Sequence, residues 1–91
     1  MRWFQFRVRS LHESRDRQHN ERRFAHVWVN ETGLDQAEGI ARALLARQGW
    51  AIESVELSMA PTLQEIAALD PIQAAAHKRA LIEGSYAYYT T

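Results

Sequence analysis

The sequence has no cysteine, two prolines and four glycines. Without cysteine, disulfides and thiolate metal sites are excluded. The glycines, Gly33, Gly39, Gly49 and Gly84, are too scattered to form a phosphate-cradling loop. No stretch approaches the roughly 20 apolar residues that a membrane-spanning helix needs. The apolar start MRWFQFRVR is interrupted by Arg7 and Arg9, too soon for a signal peptide. Net charge is absent as well: eleven Lys/Arg meet eleven Asp/Glu, which argues against attraction of the whole molecule to nucleic acid or an anionic membrane. The expectation is a cytoplasmic protein without membrane contact.

Ninety-one residues support one domain, residues 1–91, with one modest core. A chain this short buries only about 60–65% of its unfolded surface, so a second copy would add stability, and a homodimer is the expected state. The charge is unevenly placed. Residues 1–23 hold seven arginines against three acids, and residues 24–91 hold four bases against eight acids. Such asymmetry suits contacts between subunits as well as a basic binding face.

The stretches WFQFRVR (3–9) and FAHVWVN (24–30) alternate with a period of two. Each predicts a strand with Phe4, Phe6, Val8, Ala25, Val27 and Val29 on one face. HESRDRQHNERR lies between them and reads as a mobile hairpin connection over about 10–23. The pattern then changes: Leu34, Ala37, Ile40, Ala41, Leu44 and Leu45 make a helical stripe, with Thr32 and Asp35 as the expected capping box and Gly49 as the stop. AIESVELSM (51–59) alternates again, which places Val55, Leu57 and Met59 on the core face. Thr62 with Glu65 and Asp70-Pro71 with Gln73 start two more helices, and SYAYYTT (85–91) has strand propensity. The order β-β-α-β-α-β predicts an α+β two-layer sandwich: a mixed sheet of three to four strands with the helices on one face. Its architecture is distantly related to ferredoxin-like folds, whose element order it does not share.

In that arrangement the second sheet face carries Trp3, Arg7, Arg9, Phe24, His26 and Trp28, and large aromatics on a solvated face call for a partner. Three readings compete. The first is a non-enzymatic interaction protein that dimerises through this aromatic and basic face, or folds its C-terminal segment over it. The second is a single-stranded nucleic-acid module, with aromatics stacking bases and arginines on phosphates; the missing net charge and Glu56 on the same face weigh against it. The third is a small-molecule binder or enzyme with a pocket near His26. No catalytic motif supports enzymatic chemistry: there is no Gly-x-Ser-x-Gly elbow and no His-x-x-x-His or His-Glu-x-x-His. His12 and His19, with Glu13, Asp16 or Glu21, are the only loop set that suggests a metal, and solvated side chains explain them better. No catalytic, cofactor or metal residue is therefore assigned.

Overall fold

The computed structural model describes residues 1–13 and 17–91. The first two alternating runs pair antiparallel as β1 (Arg2–Ser10) and β2 (Arg22–Val29), with Trp3 opposite Trp28 and Arg9 opposite Arg22. Phe4, Phe6, Val8, Ala25, Val27 and Val29 are all completely buried on one face, as the period of two requires. Each such large apolar side chain contributes about 1.5–3 kcal/mol.

The described part of the hairpin connection contacts the strand ends and the turn after the first helical segment. The amide of Ser10 donates to the Glu21 carbonyl at 2.7 Å, and that of Leu11 to the Gly49 carbonyl at 2.9 Å. Arg17 donates from Nη2 to the Gln48 carbonyl at 2.5 Å, with its guanidinium 4.4 Å from the centre of the Trp50 ring. Asp16, considered above as a metal ligand, lies outside the described residues.

α1 (Leu34–Arg47) buries Ala37, Ala41 and Leu45 against this face. Its cap differs from the expected one. Gly33 is the N-cap with no side-chain bond, and Glu31 accepts from the amides of Thr32 and Gly33 at 2.8 and 3.4 Å instead. Those two bonds hold the Glu31 carboxyl below the usual range. Gly49, at φ +84, ends the helical segment as expected.

β3 (Trp50–Met59) returns antiparallel to β1. It runs in the same direction as β2, but β1 lies between them. The sheet order is β3-β1-β2-β4, and every neighbouring pair is antiparallel, so the expected mixed sheet is not formed. β3 also has two irregularities. The register pairs Gln5 with Leu57 and Phe6 with Val55, skipping Glu56; it pairs Arg7 with Ser54 and Val8 with Ile52, skipping Glu53. Each extra residue exchanges the two faces for the remainder of the strand. Leu57 and Met59 therefore share a face with Gln5 and Trp3, Trp50 and Ile52 join the core, and Val55 stays 41% exposed.

α2 (Leu63–Ala67) starts with the reciprocal Thr62–Glu65 capping box, and α3 (Pro71–Glu83) with the Asp70 carboxylate accepting from the Gln73 amide at 2.9 Å. Gly84, at φ +91, turns the chain into β4 (Ser85–Thr90), which pairs antiparallel with β2. The α+β fold and the element order are those expected, and the likeness to ferredoxin-like folds is distant. The helices do not share one face. α1 covers the face of Phe4, Phe6 and Val8, whereas Ala76 and Ala80 of α3 pack on Trp28 on the opposite face. The first face is already filled by α1 and by the Trp50–Tyr89 stack, ring centres 5.0 Å apart. Large aromatics on the second face give α3 its own apolar surface to cover.

Candidate interaction surface

The predicted aromatic and basic face exists, and α3 divides it into a covered end and an open end. At the covered end Trp3 and Trp28 stack with ring centres 5.4 Å apart and planes 6° from parallel. His77 meets the Trp28 ring edge-on at 5.6 Å, and Ala76 and Ala80 close over it. Alanines four residues apart lie one above the other on a helix, so the helix axis approaches the indole closely. Trp28 is completely buried within its own chain and Trp3 is half-buried. Trp28 cannot be a contact residue for a partner, a correction to the surface read from the sequence. Its covering is α3, through Ala76 and Ala80.

His26 marks the boundary. Its ring stacks on Tyr88 at 4.6 Å with planes 8° apart, and Nε2 lies 2.9 Å from the Thr90 hydroxyl. Among the described residues Nδ1 is buried without a hydrogen-bond partner. Burial holds the His26 pKa below 6.5 and favours the neutral ring. Asp70, on the rim of the same cleft, is engaged in capping α3. The cleft beside His26 has a volume of about 560 Å³ and is open rather than enclosed.

At the open end the arginines have acidic neighbours. Arg7 lies over the Phe24 ring, 5.3 Å from its centre, and 3.5 Å from Glu56; Arg22 is 3.2 Å from Glu53. Both acids are the residues skipped by the β3 irregularities. Arg9 donates from Nη1 to the Asn20 side chain at 2.6 Å. The basic excess read from residues 1–23 is thus offset at Arg7 and Arg22, whereas Arg9 meets a neutral amide; exposed pairs of this kind are individually worth about 0–1 kcal/mol. Among the described residues no group of three metal-ligating side chains converges, and no helix is long and apolar enough to cross a membrane.

A surface absent from the predicted set lies along α3. Ile72, Ala75, Lys78 and Arg79 form the flank of the helix beside Tyr86 and Tyr88 of β4, and Ile72 is 67% and Ile82, nearer the C-terminal end of the helix, 82% exposed. Between this flank and the rings of Tyr86 and Tyr88 runs an open groove of about 590 Å³. The buried stripe of α3 is Ala76 with Ala80. Ile72, one turn before Ala76 on nearly the same side, stays exposed in the first turn of the helix, and Ile82, two residues beyond Ala80, lies on another side. Comparison with protein-family models, with curated proteins and with solved structures finds no match for this chain, so its reading rests on its own geometry.

Proposed function

We propose that the chain is a small, non-enzymatic, cytoplasmic interaction protein that works as a homodimer. The observation that carries this reading is the exposed apolar surface of α3: Ile72 and Ile82 stand exposed, and Ile72 with Ala75 lines a groove that also holds Tyr86, Tyr88, Lys78 and Arg79. Isolated exposed apolar residues are ordinary, but an exposed isoleucine in an aromatic-lined groove with a cationic border suits an interface. The still-open part of the sheet face, Arg7, Phe24 and His26, adjoins it through the His26–Tyr88 stack and forms a more polar rim. Light scattering on the wild-type chain tests the reading. The expected mass is twice the chain's 10.5 kDa at concentrations above a dissociation constant in the micromolar range, about −8 kcal/mol. A single-chain mass up to about 100 µM, where an association of that strength is nearly complete, would contradict it.

The Arg7–Phe24 contact favours a second reading, a single-stranded nucleic-acid surface with one stacking ring and a cation beside it. Salt-dependent retention of a fluorescent oligonucleotide at about 50 mM salt is its signature, and absence of retention there removes it.

A further inference from the structure

The sheet has two free edges, and they are built differently. β3 is irregular at two places and carries Glu53 and Glu56 there, features that keep an edge from pairing with another strand. β4 has neither. Its six residues, SYAYYT, contain no charge and no proline, and its register with β2 runs without a shift from Val29–Ser85 to Phe24–Thr90. The direction of its free backbone groups is set by one bond. The Asn30 amide donates to the Gly84 carbonyl at 2.8 Å, so Val29 and Ser85 form a non-hydrogen-bonded pair and Trp28 and Tyr86 a hydrogen-bonded one. Tyr86, Tyr88 and Thr90 therefore spend their backbone groups on β2, and Ser85, Ala87 and Tyr89 direct theirs outward.

We infer that the homodimer forms by antiparallel pairing of β4 with β4 of a second copy about a two-fold axis at Ala87, the α3 flanks packing together above the joined edges. This rests on the self-association proposed above and names the surface and the partner. A strand edge is self-complementary under a two-fold axis: Ala87 meets Ala87, Tyr89 meets Ser85 of the other copy, and Tyr86 meets its Tyr88 on the α3 side. The strand edge brings no like charges together, because β4 has none; Lys78, which lines the groove near the middle of α3, must turn its ammonium group to solvent.

The helix flank obeys the same axis. Arg79 lies over the Tyr86 ring at 5.0 Å, and Gln73 and Tyr88 line one cleft, so Ala87 is level with the middle of α3. A two-fold axis there sets the Ile72 end of one helix against the Ile82 end of the other. Arg79, already bonded to Glu83, faces the Ala75 region rather than another Arg79. Strand edge and helix flank are each about 20 Å long. Together they reach the order of the 800 Å² per partner that standard interfaces bury, which an edge alone does not. Pairing would extend the four-stranded sheet to eight strands and leave the irregular β3 edges outermost.

Residue-resolved amide exchange together with sedimentation tests the inference on the wild type and on Ile72→Asp/Ile82→Asp, a variant altered only at exposed positions. In the dimer the amides of Ala87 and Tyr89 are expected to exchange at least about 100-fold more slowly than open amides, with protection that grows with concentration. The double variant should keep its circular dichroism and associate at least about 100-fold more weakly, because each dimer would bury four carboxylates. A dimer whose Ala87 and Tyr89 amides exchange freely, or one indifferent to the double variant, overturns the β4 assignment and leaves self-association standing. A single-chain species at every concentration overturns both and leaves the edge to a strand of another protein.

Discussion

Trp28 holds α3 to the sheet, and replacing it by alanine measures how much of the fold depends on that attachment. The indole is the largest completely buried side chain, lying between the Trp3 ring and the Ala76–Ala80 side of α3. Truncating a buried aromatic to alanine costs about 3–5 kcal/mol, because the transfer energy is lost and a cavity remains. A chain of this length has a total stability of about 5–14 kcal/mol, so the change removes a large share of it. At about 4–8 °C per kcal/mol the midpoint should fall by roughly 12–40 °C. The loss has a location as well. α3 rests on β4 and β2, with Trp28 at the centre of that contact, so its amides should lose protection before those of α1, which rests on the separate core. Thermal melts followed by circular dichroism, with amide exchange below the transition, measure both. Trp28→Phe, which keeps an aromatic ring under the alanines, should lose less. A loss under about 1 kcal/mol, or α3 as well protected as in the wild type, would refute the attachment reasoning.

Three further outcomes rest on local chemistry. The folded state holds His26 neutral, so the unfolded chain binds more protons below pH 6.5; stability should be full above that pH and decline as the pH falls through it. Denaturant titrations at pH 7.5 and 5.5 should show the wild type losing more than His26→Gln, and equal losses would contradict the assignment. Burial pushes the Tyr89 hydroxyl up to about 12, so ultraviolet titration should show a tyrosine ionising well above pH 10, whereas every tyrosine titrating with a midpoint near 10 would show that the ring is not buried. Gly49→Ala puts a side chain at φ +84, where its Cβ would also come within 2.6 Å of Arg17 Nη2. A destabilisation of about 1–2 kcal/mol in chemical unfolding is expected, and an unchanged midpoint would show that the turn relaxes freely.

Much of the fold was legible because local pattern and tertiary need agreed. The period of two in WFQFRVR and FAHVWVN survives as complete burial of Phe4, Phe6, Val8, Ala25, Val27 and Val29. Thr62 and Asp70 cap as their spacing predicts, since those bonds form within a single turn. The departures arise where a neighbouring element decides. AIESVELSM alternates cleanly as a string, but its pairing with β1 skips Glu53 and Glu56, and nothing within the strand specifies that register. Thr32 does not cap α1: Gly33 is the N-cap, and the Glu31 carboxylate takes the Thr32 amide that Asp35 would take in the expected box. α3 has apolar residues on several sides, and only the position of Trp28 determines which of them is inside. The same ambiguity hid the surface of interest: Trp28 looked available and is covered, while nothing in the local pattern singles out Ile72 and Ile82, which are exposed.

Nuclear Overhauser spectroscopy on a mixture of isotope-labelled and unlabelled chains tests the central claim most directly, because it records only contacts between copies. The account predicts contacts from the Tyr86 ring of one chain to the Tyr88 ring of the other and between the methyl groups of Ile72 and Ile82. Contacts confined to Arg7, Phe24 and the other residues of the open sheet face, or none between chains in a sample that sediments as a dimer, would contradict it.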